Sequence, residues 1–230
     1  MAKLWVVASP IGNLGDLSPR SAEVLTACES WWVEDSRVSS KLASHLGVKK
    51  SMRVMNDHTS ETQIARWIDE LEGSDQEVAI LSDGGAPGVS DPGSIAVDLA
   101  LEAGIEVGGI PGPSAPTLAL MLSGFFAQRY AFLGFLPRKP GPMRELFEPF
   151  ADSAMTLVCF ESPFRIDALL KVAGEALGDR RYAICREMTK SFEQVFRAKL
   201  PTIPTEAQVP RKGEFTVVIE GRRKKFAESE

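Results

Sequence analysis

Short apolar runs alternate along the chain with stretches whose apolar residues recur every three or four positions, and Gly or Pro marks most of the changes. Residues 4–8, Leu-Trp-Val-Val-Ala, are unbroken apolar sequence, the pattern of a strand covered on both faces, and Ser9-Pro10-Ile11-Gly12-Asn13 ends it as a loop. Ser18-Pro19 then predicts a helix, with Ser as N-cap, Pro in the first helical position, and Ala22, Val24, Leu25 and Cys28 as its apolar stripe. Trp31-Trp32-Val33 reads as the next strand and ends in Glu34-Asp35-Ser36-Arg37, ahead of a helix over residues 39–46. A strand near 52–55, a helix over 61–71 and the run Val-Ala-Ile-Leu at 78–81 follow. The last opens into Ser82-Asp83-Gly84-Gly85-Ala86-Pro87-Gly88-Val89-Ser90-Asp91-Pro92-Gly93. A helix over 95–103 stops at Gly104, a strand over 106–110 runs into Pro111-Gly112-Pro113-Ser114-Ala115, and a helix covers 115–122.

The second half predicts strands over 130–136, 155–160, 182–185 and 214–220, helices over 165–176 and near 143–150, and a loop at Pro137-Arg138-Lys139-Pro140-Gly141-Pro142. Strands alternating with helices predict an α/β protein, whose parallel sheet binds ligands in the loops at the carboxyl ends of its strands. The boundary is expected in the linker around Gly124, giving an N-terminal α/β domain with a parallel sheet over 1–123 and a C-terminal α/β domain with a mixed sheet over 124–230. Arg222-Arg223-Lys224-Lys225 reads as a frayed basic tail.

A length of 230 residues suits one large or two modest domains, and 44% hydrophobic with 25% charged residues excludes wholesale disorder, collagen and coiled coil. No run reaches the roughly 18 apolar residues of a membrane span, and the N-terminus lacks the apolar core of a signal peptide, so a cytoplasmic protein without a membrane partner is expected. Cys28, Cys159 and Cys185 are far apart, odd in number and outside any Cys-x-x-Cys pair, which predicts buried small hydrophobes rather than disulfides or a zinc ribbon. His45 and His58 form no H-E-x-x-H pattern, and no tightly bound metal is expected. Charge is uneven: residues 1–110 hold 8 Lys+Arg against 17 Asp+Glu, and residues 111–230 hold 18 against 14. The basic half suits contact with phosphates, and a solvated surface accounts for the same imbalance.

The 82–93 loop holds four Gly, two Pro and two Asp. Gly lets backbone groups approach a ligand and Pro fixes the shape beforehand, which suits a small polar cofactor, although a long connection with two tight turns needs the same residues. With no Lys in it and no G-x-G-x-x-G, it is neither a P-loop nor a dinucleotide fingerprint. Amides around 111–115, at a strand end and a helix start, suit a carboxylate or hydroxyl. Phe160-Glu161-Ser162-Pro163-Phe164-Arg165 and Arg186-Glu187-Met188-Thr189-Lys190 each put a carboxylate and a cation at a strand end, and simple ion pairing explains them as well as catalysis does. Local chemistry thus predicts a cofactor loop with paired charges, and no particular reaction.

Order adds more. The segments 9–16, 34–37, 82–93, 110–115, Gly134-Phe135-Leu136-Pro137-Arg138-Lys139, 161–165 and 186–190, taken in sequence, resemble the ribosomal RNA small subunit methyltransferase I family, a branch of the tetrapyrrole methylase superfamily. The resemblance spans residues 4–221. It implies two α/β domains with S-adenosylmethionine (SAM) folded into the cleft between them, usually in a homodimer. The implied activity is 2′-O-methylation of a cytidine ribose in 16S rRNA of the small ribosomal subunit, by in-line attack of the substrate oxygen on the cofactor methyl. By the same resemblance Pro10, Asp83, Ala86, Ser114, Ala115, Phe160, Met188 and Gly213 should lie along SAM. Asp35, Glu161, Arg165 and Lys190 are the expected catalytic residues, with Glu161 or Asp35 as base and Arg165 or Lys190 on a phosphate or a paired carboxylate. Glu34, Arg37, Arg138, Lys139 and Glu187 are expected on the substrate. The chain departs from the family where Gly84-Gly85-Ala86 replaces the usual Ala-Gly-Thr, where Met55-Asn56-Asp57-His58 replaces a His-Glu-His-Asn type segment, and where Phe164 replaces a usual His. The alternatives are a methyltransferase of the same superfamily acting on a tetrapyrrole or a modified protein side chain, and a SAM-binding module without catalysis.

Overall fold

The computed structural model describes residues 1–222; Arg223, Lys224 and Lys225 of the expected basic tail lie outside the described residues. The chain divides into two compact units, Met1–Ser114 and Ala115–Glu230. This division falls ahead of the 123/124 boundary expected from sequence, because the helix after Ser114 packs on the sheet of the second unit.

In the first unit five parallel strands, β1 (Lys3–Val7), β2 (Ser30–Val33), β3 (Ser51–Val54), β4 (Glu77–Leu81) and β5 (Glu106–Ile110), stand in the order β3-β2-β4-β1-β5. The helices are α1 (Pro19–Ala27), α2 (Ser36–His45), α3 (Glu61–Glu72) and α4 (Ser94–Glu102). Side chains on β4 alternate between two cores. Val78 and Ile80 pack with Ile64, Ile68 and Leu71 of α3 and Ala96 and Ala100 of α4, whereas Ala79 and Leu81 pack with Leu25 of α1 and Leu42 and Ala43 of α2. Both faces being covered explains why these strands read as unbroken apolar runs rather than alternating ones. Strand order gives the same result independently. From β1 the chain steps one way across the sheet through β2 to β3, then returns through β4 to β5, so right-handed crossovers put α1 and α2 on one face and α3 and α4 on the other.

In the second unit the helix α5 (Ala115–Ser123) is followed by β6 (Tyr130–Phe135), α6 (Pro140–Phe147), β7 (Thr156–Glu161), α7 (Ile166–Leu177), β8 (Arg181–Arg186), β9 (Gln194–Lys199) and β10 (Phe215–Ile219). The sheet order is β6-β7-β10-β8-β9; β6 runs parallel to β7 and the other pairs are antiparallel. Leu157 and Cys159, Tyr182 and Ile184, and Phe215, Val217 and Ile219 build one core with α6 and α7, and α5 covers the opposite face. Two expectations change here. The predicted loop at 137–142 is already helical from Pro140, since Pro in the first turn of a helix forfeits only an N–H that has no partner there. The predicted helix near 143–150 ends at Phe147 and continues as a single 3-10 turn, Glu148–Phe150. The cysteines are all buried and unpaired, and burial raises their thiols, Cys28 and Cys185 to about 12.

Candidate active site

The neighbours β1 and β4 send the chain to opposite faces of the first sheet, β1 toward α1 and β4 toward α4. Diverging loops at the carboxyl ends of two adjacent strands leave a crevice, and open α/β sheets bind ligands there. The loop after β1 and the loop after β4 build it together. Ser9 and Gly85 form an antiparallel bridge, with Ser9 N–H donating to Gly85 O at 2.9 Å and Gly85 N–H to Ser9 O at 3.0 Å. The Ser9 hydroxyl donates to Ser82 O at 3.0 Å, and Ser82 Oγ donates to Gly85 O at 3.4 Å. These serines are buried and committed to holding the loops.

Carboxylates line the rim. Asp35 caps α2 by accepting the Arg37 N–H at 2.8 Å, and its carboxylate also pairs with the Arg37 guanidinium, which holds its pKa down at about 2. Asp83 Oδ1 accepts the Asp35 N–H at 3.0 Å, and the Asp83 N–H donates to Glu34 Oε2 at 3.1 Å, so the β2 and β4 loops are tied through their acids. Partial desolvation and the adjacent Glu34 carboxylate raise Asp83. Desolvation followed by the charge of Glu34 pushes Asp91 up to about 6. Asp91, outside the residues expected from sequence to form the site, therefore belongs to this acidic cluster; its position inside the Gly-rich loop was the available signal.

In the second unit the corresponding feature is Glu161, the last residue of β7 and only 3% exposed. Its Oε1 accepts the Ser162 N–H at 2.7 Å. Its Oε2 lies 3.1 Å from Arg165 Nη2, but the guanidinium N–H bonds point to the carbonyls of Leu136 (3.1 Å) and Pro137 (2.8 Å), so Oε2 accepts no hydrogen bond among the described residues. Burial raises the Glu161 carboxyl, against the lowering effects of Ser162 and Arg165. A second cluster follows β8. Lys190 Nζ contacts Glu187 Oε1 at 3.2 Å and Glu214 Oε2 at 2.9 Å, while the Glu214 N–H donates to Glu187 Oε1 at 2.9 Å. Glu187 and Thr189 have φ of 49° and 67°, a left-handed backbone that costs free energy in residues with side chains, and Thr189 Oγ1 is buried without a partner among the described residues. Gly213 (φ 88°) faces Glu187 so closely that any Cβ would collide with that carboxyl group.

The tetrapyrrole (corrin/porphyrin) methylase family model matches residues 3–204. A protein of Xylella fastidiosa named ribosomal RNA small subunit methyltransferase I is 39% identical over 222 residues, covering 95% of this chain and 81% of its own. One of that name from Mesorhizobium japonicum is 40% identical over 220 residues, covering 94% and 74%. The chain belongs to the ribosomal RNA small subunit methyltransferase I family. It is a methyltransferase of the tetrapyrrole methylase class. Among solved structures, uroporphyrin-III-C-methyltransferase from Thermus thermophilus superposes with a TM-score of 0.66 at 22% identity, covering 95% of this chain and 94% of that one. The methyltransferase CobJ gives 0.71 at 15% identity, covering 97% of each. These two show the fold alone.

Within this methylase fold the residues expected along SAM fall on both units: Pro10, Asp83, Ala86 and Ser114 on the first, Ala115, Phe160, Met188 and Gly213 on the second. Glu34, Asp35, Arg37 and Asp83 come together, as do Glu161 with Arg165 and Glu187 with Lys190. Arg186, by contrast, is buried and structural, its Nε donating to Lys212 O at 2.7 Å and Nη1 to Phe192 O at 3.0 Å. Arg138 and Lys139 stand exposed just before α6.

Proposed function

We propose that this methyltransferase uses SAM to methylate the ribose 2′-hydroxyl of a cytidine in 16S rRNA, on the small ribosomal subunit. Identity near 40% to proteins named as small subunit rRNA methyltransferases, sustained over 94 to 95% of the chain, carries this reading. When bound, SAM supplies an electrophilic methyl on a sulfonium, so orientation of the attacking oxygen and removal of its proton are what the protein must add.

The residues present fit such a cofactor. Glu34, Asp83 and Asp91 crowd carboxylates at the switch point; desolvation first and the neighbouring carboxylates second raise Asp83 and Asp91, and a cationic ligand would offset the second of these effects. Pro10, Ala86 and Ser114 would border it on the first unit, and Phe160, Met188, Gly213 and Ala115 on the second. The base is Glu161 rather than Asp35. Asp35 is held by Arg37 near pKa 2 and is a weak acceptor, whereas Glu161 is raised by burial and keeps one oxygen without a donor. Its Oε1 is fixed by Ser162, leaving Oε2 to take the 2′-hydroxyl proton. Arg165 steadies the carboxylate and is itself clamped by two carbonyls. Lys190 positions Glu187 and Glu214 beside Gly213. Glu34, Arg37, Glu187, Arg138 and Lys139 would face the RNA, and we propose a homodimer working in the cytoplasm, where ribosomal subunits are.

Incubation with methyl-labelled SAM and, in parallel, undermethylated small subunits, free 16S rRNA and a tetrapyrrole tests the reading. Label in subunits supports it. Label in the tetrapyrrole, or in none with SAM bound, contradicts it.

A further inference from the structure

We propose that Phe135 and Phe164 form a stacking platform for unpaired bases of the RNA substrate, an inference that rests on the RNA reading above. Strand geometry makes Phe135 unusual. In a regular strand, residues three apart point to opposite faces. Here Phe132 and Phe135 both pack against the Phe160 ring, with centroids 5.0 and 5.3 Å away. The cause is a break in the β6 to β7 register between Phe132 and Phe135, with Gly134 at φ 60°, a backbone that glycine adopts freely. Irregularities of this kind re-aim a side chain, and this one turns Phe135 against Phe160 while leaving it 67% exposed.

Phe164 is brought to the same edge by a separate device. It sits in the turn Pro163–Arg165 that follows β7, the parallel neighbour of β6. Arg165 donates from that turn to the carbonyls of Leu136 and Pro137, the two residues after Phe135, and so fastens the two strand ends together. Phe164 remains 86% exposed. Neither ring supports the core, where Leu136 and Ile166 do that work. Phe135 lies three and four residues before the exposed cations Arg138 and Lys139, and Phe164 directly precedes the partly exposed Arg165. Exposed aromatic faces next to positive charge suit a single-stranded nucleic acid, in which bases stack on the rings while the backbone meets the cations.

Leu replacements separate stacking from mere apolar contact. Binding of undermethylated small subunits to wild type and to Phe135→Leu/Phe164→Leu is compared, with SAM affinity measured alongside. The Kd for subunits should rise by about tenfold for each ring lost, with SAM affinity unchanged, and Phe135→Trp/Phe164→Trp should bind as wild type does. Wild-type affinity in the Leu variant would overturn the platform and assign the patch to apolar contact with a ribosomal protein, leaving the methylation reading intact. Failure of the wild type itself to bind or methylate subunits would overturn that reading and the platform with it.

Discussion

Two carboxyl groups behave in opposite ways because their surroundings differ by a few hydrogen bonds. Asp35 has a guanidinium and a helix N-terminus; Glu161 has one amide, an off-line arginine and little water. Glu161→Gln keeps the shape and removes the base, so the methylation rate should fall about 10²- to 10⁴-fold with SAM affinity preserved. Rate requires the ionised form, and burial raises its pKa, so wild-type kcat/KM should decline on acidification at a higher pH than an ordinary carboxylate gives. A flat acid limb would refute that role. Asp91 offers a stability test. Its native pKa near 6 exceeds the ordinary 3.8, so the native state binds more protons than the unfolded state between those values, and stability falls as pH rises through that window. Discounted for solvent screening, Asp91→Asn should stabilise by about 1 to 2 kcal/mol at pH 8 and by little below pH ~4, read from urea midpoints. A gain independent of pH would mean that burial and the neighbouring carboxylates do not raise Asp91. From sequence the residue types were visible, but not that one carboxylate would be spent on an arginine and another left without a donor.

At the scale of elements, most of the strands and helices were legible, since unbroken apolar runs and Ser-Pro or Gly punctuation are strong local signals. Ser18 caps α1 by accepting the Ser21 N–H at 3.0 Å, as the Ser-Pro pair predicts. The apolar pattern does not predict the strand β9. Gln-Val-Phe-Arg-Ala-Lys alternates in period two with partly covered and exposed positions, and its Arg and Lys belong to an edge strand, where charge discourages further pairing. The loop between β8 and β9 stores strain that no propensity would reveal, because Glu187 and Thr189 take left-handed conformations to assemble the Glu187, Lys190 and Glu214 cluster. Gly213 packs against that cluster, beside the Glu187 carboxyl group. Gly213→Ala adds a positive-φ penalty of about 1 to 2 kcal/mol and displaces the Glu187 carboxyl, so SAM affinity should drop at least tenfold and thermal stability should fall. Unchanged SAM titration heats would remove Gly213 and its neighbours from the cofactor site.

Across the whole molecule, acid gathers in the first unit and base in the second, which matches a division of labour between a cationic cofactor and a polyanionic substrate. Neutralising Arg138 and Lys139 together should weaken subunit binding and flatten its dependence on salt, because fewer counterions are released, while SAM affinity holds. An identical salt slope would take that loop off the RNA surface. The order of motifs along the chain made the family readable before any geometry. The unit boundary was less legible, because α5 follows a strand of one sheet and packs on the other. The most direct test of the account is nucleoside analysis of 16S rRNA from undermethylated small subunits incubated with the protein and SAM. One new 2′-O-methylcytidine per subunit is expected with wild type and essentially none with Glu161→Gln; a methyl group on a base, or on no RNA at all, would contradict ribose methylation with Glu161 as base.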